Sequence, residues 1–176
     1  MSYESTLVSV DHSNHGLYAN SRIGDRALNA AIIQADISRG FEEYLEIFNT
    51  FYADDVEATS DTDEEPVRGK ASLRSVLLNF LIPLHVMAEV GGLSVSIREA
   101  AIPGDAADET HSAWTLELVG ASGKTCTLTW RTLRRWDGAH VVYEHHYDHK
   151  QIGGPLMSDD LSVDATESDG RLRLRS

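Results

Sequence analysis

The chain has 176 residues, 41% of them hydrophobic, enough to bury the core of one domain. Its formal charge of −13 lacks the basic surface that nucleic acid or an anionic membrane requires, so neither is expected as a partner. No apolar run approaches the ~18 residues of a bilayer-crossing helix, no signal-peptide pattern opens the chain, and the single cysteine, Cys126, permits no internal disulfide; a cytoplasmic protein is expected.

Residues 1–23 mix polar residues and glycine without sustained periodicity and read as an irregular arm. Leu28, Ala31, Ile32 and Ala35 recur at helical spacing, with Gly40 as the stop. Phe41, Tyr44, Leu45, Phe48 and Tyr52 continue that period as a second short helix, and Val56 to Thr59 predicts a brief strand. Lys70 to Val86 carries the clearest apolar stripe (Leu73, Val76, Leu77, Phe80, Leu81, Leu84), and Pro83 predicts a kink or end near Asn79. Four strands follow: Leu93 to Ile102, Thr110 to Val119, Thr125 to Trp136 and His140 to His149. They are separated by Pro103-Gly104-Asp105, Gly120-Ala121-Ser122-Gly123 and Asp137-Gly138. Helices first and an antiparallel meander afterwards define an α+β domain over residues 24–152, with helices on one side of a curved sheet. Residues 153–176 turn polar and acidic and read as a tail, although Arg171 to Arg175 alternates like an edge strand.

Three stretches carry a resemblance: Phe51-Tyr52-Ala53-Asp54-Asp55-Val56, Glu65-Pro66-Val67-Arg68-Gly69-Lys70-Ala71 and Trp136-Asp137-Gly138. In their order and spacing the chain resembles the nuclear transport factor 2-like superfamily, which includes SnoaL-like polyketide cyclases and ketosteroid isomerases. The resemblance implies a cone-shaped curved antiparallel sheet wrapped around the helices, an open-ended apolar cavity, and homodimerisation through the sheet. In ketosteroid isomerases a base aspartate lies on the first strand, eight residues past the motif tyrosine. Counting from Tyr52 places Ser60 there, while the oxyanion-hole aspartate falls on Thr132 and its partner tyrosine near Ile33. Only Tyr52 of that network remains, which speaks against an orthodox steroid isomerase. In SnoaL-like cyclases a last-strand carboxylate works with a histidine, and aligning the Asp-Gly turns puts His145 at the carboxylate's position.

Alternation along the last strand sets Tyr143, His145, Tyr147 and His149 on one face and Glu144, His146 and Asp148 on the other. The first set is expected to face the cavity. There His145 could take and give a proton, with Tyr143 and Tyr147 orienting it or donating to a developing oxyanion. Trp130 and Thr132 supply an aromatic wall and a polar handle, and Tyr52 and Ser60 complete the substrate-binding set. His85, after Pro83, either caps helix carbonyls or reaches the cavity mouth. His111 is expected opposite Trp114, Leu116 and Leu118. A shared metal ion is not expected, since His145 and His149 stand ~13 Å apart along a strand. No cofactor is implied by any motif. The leading reading is a small-molecule pocket for an apolar carbonyl or polyketide-like compound, used by an acid/base cyclase, isomerase or dehydratase. The alternatives are a non-catalytic binder and a dimeric protein-interaction module.

Overall fold

The computed structural model describes residues 21–63, 65–100 and 106–154, with two further short strands at 163–164 and 173–174. Three α-helices precede most of the sheet: α1 (Ser21–Gln34), α2 (Glu42–Phe51) and α3 (Lys70–Val90). A single 3-10 turn, Ile37–Arg39, lies between the first two and ends at Gly40, whose φ of +132° suits glycine. The strands are β1 (Tyr52–Ser60), β2 (Val67–Arg68), β3 (Gly92–Glu99), β4 (Glu109–Val119), β5 (Thr125–Asp137) and β6 (His140–Ile152). They form one curved, unclosed sheet in the order β2-β1-β6-β5-β4-β3.

The α+β architecture is as expected, with one correction to the sheet. It is mixed rather than wholly antiparallel, because β1 runs parallel to β6 while every other pair is antiparallel. The parallel pairing is possible because the chain crosses from β1 to β6 through α3 and four intervening strands. The first helix begins at Ser21, inside the stretch read as an arm. The remaining arm, with His12 and His15, and most of the tail lie outside the described residues. Val163–Asp164 and Arg173–Leu174 pair with each other in a separate ladder.

Helix α3 corrects a second expectation. It continues past Pro83 to Val90, so the proline neither ends it nor stops it near Asn79. Leu81, Leu84 and Met87 lie on either side of Pro83 in sequence and are all buried against the sheet, and that packing offsets the lost backbone hydrogen bond. Residues Lys70–Glu89 also have the length and mean hydropathy (1.4) of a membrane-crossing helix, contrary to the sequence reading. In this fold the helix instead covers the concave side of the sheet. It passes into β3 at Gly91, where an added Cβ would sit 1.7 Å from the Val119 carbonyl oxygen. Only glycine fits there.

Two buried clusters form the core. Leu28, Phe48, Phe51, Tyr52, Val56, Trp136 and Val141 pack at one end. Ile37, Leu81, Leu84, Met87, Leu116, Leu118 and Cys126 pack at the other, where the lone cysteine acts as a small buried hydrophobe.

A β-bulge decides which side chains meet the concave face. Trp136 pairs with Val141 but Arg135 pairs with Tyr143, so β6 carries one extra residue at Val142. The alternation reverses across it, and Val141 and Glu144 are both buried. A second irregularity, between the Arg131↔Tyr147 and Thr129↔Lys150 pairs, surrounds Asp148, which has a φ of +56°.

Candidate functional site

Between α3 and the concave sheet lies an open cavity of about 590 Å³, lined by residues of both core clusters. Its walls are predominantly apolar and include Ile32, Ile47, Leu77, Phe80, Trp114 and Trp130. Inward parity on β4 and β5 places the two indoles on paired residues, and they stack with centroids 5.3 Å apart and planes 16° from parallel. Phe80 of α3 meets Trp130 edge to face at 6.5 Å. Volume and lining suit a small flat molecule.

One end of this cavity carries charge. Arg134 is 2% exposed and bridges two carboxylates: Nε donates to Glu144 Oε2 and Nη1 donates to Asp25 Oδ1, both at 2.7 Å. Nη1 also donates to Asn29 Oδ1 at 2.8 Å. Asp25 and Asn29, one turn apart on α1, are tied to each other and to Ser112 of β4, whose hydroxyl donates to Asp25 Oδ2 at 3.0 Å. The Tyr52 hydroxyl donates to Glu144 Oε2 at 2.7 Å. His146 Nε2 lies 2.9 Å from Glu144 Oε1, and its Nδ1 lies 3.1 Å from Thr132 Oγ1.

These contacts fix the charge states. Burial alone would raise the Glu144 pKa, but the His146 and Arg134 charges outweigh it and hold the carboxyl well below its usual range. Burial likewise disfavours the Arg134 cation, yet the surrounding Tyr52, Glu144 and Asp25 groups push its pKa higher still. Burial, followed by the Glu144 charge, pushes the Tyr52 phenol well above its ordinary value, so it remains a proton donor. An ionised Glu144 has no proton to give, so His146 Nε2 carries one and donates it. Nδ1 then accepts from the Thr132 hydroxyl when the ring is neutral and donates to it when the ring is charged.

The structure reverses the expected face of β6. Tyr143, His145 and Tyr147 point away from the cavity, and Glu144 and His146 point into it; the bulge at Val142 is the cause. On the outer face Thr59 Oγ1 lies 2.9 Å from the Tyr143 hydroxyl and 2.8 Å from His145 Nδ1. His145 stacks on Tyr147, whose hydroxyl meets His111 Nδ1 at 3.0 Å, so His111 lies opposite Trp114 as expected. Tyr52 and Trp130 line the cavity as expected, and Ser60 lies near its polar rim, bonded to Thr62. Thr132 is buried behind His146. His85 reaches neither the cavity nor α3's own carbonyls: its Nδ1 lies 2.6 Å from the Ile37 carbonyl oxygen. His149 sits at the rim, 2.6 Å from Asp61.

Sequence reasoning missed Asp25, Asn29, Arg134 and Glu144. Asp25 and Asn29 at i and i+4 on a helix were a readable polar pair, but nothing in the sequence joins them to residues more than a hundred positions away.

No protein-family model matches the sequence, and no curated protein matches it. Similarity appears among solved structures. A Bacillus subtilis protein provisionally named an isomerase is 10% identical over 78% of this chain and 90% of its own, with a TM-score of 0.51. A Xanthomonas campestris pv. campestris protein provisionally named a polyketide cyclase is 17% identical over 72% and 91%, with a TM-score of 0.50. A nuclear transport factor 2-like protein of unknown function from Cytophaga hutchinsonii is 11% identical over 70% and 95%, with a TM-score of 0.47. The chain has the nuclear transport factor 2-like fold. At these identities the likeness establishes the fold and no activity.

Proposed function

We propose that this protein binds a flat, apolar carbonyl compound between α3 and the Trp114–Trp130 stack, and that His146 exchanges a proton with it. The observation that carries this reading is the Arg134–Glu144–His146 network at one end of a predominantly apolar cavity. Tryptophan faces and aliphatic walls favour a planar body, and the polar end meets its oxygen or acidic carbon. Glu144 holds the imidazole through Nε2, and Nδ1 exchanges a proton with the ligand once the ring turns it from Thr132, buried behind it, toward the cavity. Enolisation, aldol cyclisation and dehydration all require such a step. The provisional names of two structural neighbours, an isomerase and a polyketide cyclase, fall within that range.

Deuterium incorporation tests it. With 2-tetralone in D2O, the protein is expected to accelerate exchange at the carbon between ring and carbonyl, and His146→Gln is expected to abolish the acceleration while ketone binding persists. Exchange at the buffer rate with the ketone demonstrably bound contradicts the proton-transfer role. One observation favours the second reading, a non-catalytic binder: both His146 nitrogens already have protein partners. Binding without exchange is its signature.

The outer face with Tyr143, His145 and Tyr147 is proposed as the surface where a second copy packs, in keeping with the fold. Light scattering at micromolar concentration is expected to give twice the chain mass, and Tyr147→Glu the single mass. A wild-type monomer rules the surface out.

A further inference from the structure

Arg134 has a donor to spare. Nε is committed to Glu144 and Nη1 to Asp25 and Asn29, and the Tyr52 oxygen is the one further side-chain partner of the group, so at least one of the two Nη2 N–H groups has no acceptor among the described residues. Among the described residues, the enclosed side-chain nitrogen or oxygen that lacks a partner is Trp114 Nε1. Nη2 is therefore not sealed in protein, and Arg134 lines the cavity. Its guanidinium carbon lies 5.6 Å from the Trp114 ring centroid, so the group sits against the same indole stack that offers a platform for a flat ligand. A buried cation with uncommitted N–H groups beside an apolar cavity is costly unless something accepts from it.

We propose that Arg134 Nη2 is the docking point for the ligand's carbonyl oxygen, and that the ligand reaches this point uncharged. The second clause follows from the charge around it. Asp25 and Glu144 already set two carboxylates against the guanidinium, with His146 as a second cation only when its ring is protonated. Beside the neutral ring that takes up a proton, an anionic ligand would add a third negative group to a poorly solvated cluster. A ketone oxygen takes the hydrogen bond without that penalty. If His146 then removes the neighbouring C–H proton, the C–H pair becomes the new C=C bond and the carbonyl π pair moves onto oxygen. The charge that develops lies beside Arg134, and total charge is conserved because His146 gains the proton. The inference rests on the carbonyl-binding part of the proposed function and not on proton transfer, so a protein that only binds its ligand would still satisfy it.

The test uses binding alone. Wild-type protein is titrated with 2-tetralone, with tetralin, which has the same carbon skeleton without the oxygen, and with 2-naphthoate. After correction for partition between water and hydrocarbon, the ketone is expected to bind at least about tenfold more tightly than tetralin, and 2-naphthoate more weakly than the ketone. The infrared carbonyl stretch of bound 13C-labelled 2-tetralone is expected below its hydrocarbon-solvent frequency, as for a carbonyl bonded to a cation. In Arg134→Lys the compact ammonium cannot hold two carboxylates and the ketone together, so the ketone preference is expected to fall to within about threefold. Should that variant not fold, the wild-type stretch and selectivity decide the matter. A hydrocarbon-like stretch, equal binding of ketone and tetralin, tighter binding of 2-naphthoate, or no ketone binding overturns the proposal. Loss of deuterium exchange with these results intact would fault His146 instead.

Discussion

Glu144 is the residue on which the polar end depends, because Tyr52, Arg134 and His146 all converge on its two oxygens. Removing it leaves the Arg134 Nε, the Tyr52 hydroxyl and His146 Nε2 without their shared acceptor, so Glu144→Ala is expected to cost about 3–5 kcal/mol in urea denaturation. A pH dependence follows from the same geometry. The folded pKa of Glu144 lies below its ordinary 4.5, so the unfolded chain binds more protons than the folded one as pH falls. Its contribution is complete above about pH 4.5 and is lost progressively below that value, toward the folded pKa. Urea midpoints measured from pH 7 to pH 3 should fall steeply in the acid range for wild type and less steeply for Glu144→Gln. An unchanged acid slope would mean that Glu144 is not held ionised. In sequence this glutamate falls on the strand face expected to point away from the cavity. The two-residue period was legible, but the extra residue at Val142 that inverts it was not, since a bulge at a valine has no residue signature comparable to a glycine turn.

Helix α3 shows how an element can be legible while its behaviour is not. Its apolar stripe read correctly from Leu73 to Leu84, but Pro83 argued for an early end because local sequence cannot weigh the packing of Met87 against the sheet. Pro83 is exposed and leaves the Asn79 carbonyl without its usual helical partner, so Pro83→Ala is expected to raise stability by about 1–3 kcal/mol. A lower denaturation midpoint would show that the proline shape is itself required. The same helix leaves Val76 and Phe80 48% and 45% exposed although both line the cavity. Apolar side chains open to a cavity are what a ligand would cover. Phe80→Ala is therefore expected to cost less than the about 3–5 kcal/mol of a buried phenylalanine, while weakening 2-tetralone binding about tenfold or more. A large stability loss with unaltered affinity would make Phe80 a core residue rather than a wall of the site.

At the scale of the molecule, the order of three helices and a strand meander was readable from periodicity and turns, and the three sequence stretches pointed to the right fold. What periodicity could not supply was the pairing of β1 with β6, a parallel ladder between segments about ninety residues apart. That pairing positions Tyr52 and Ser60 beside Glu144 and His146, and so assembles the cavity from both ends of the domain. The proposed function requires that the face of β6 bearing His146, and not the face bearing His145, meet the ligand. Histidine ring resonances recorded by NMR during a titration with 2-tetralone report on both faces at once. The His146 ring signals are expected to move with ketone concentration while those of His145 hold still; movement at His145 with His146 unaffected would contradict the assignment.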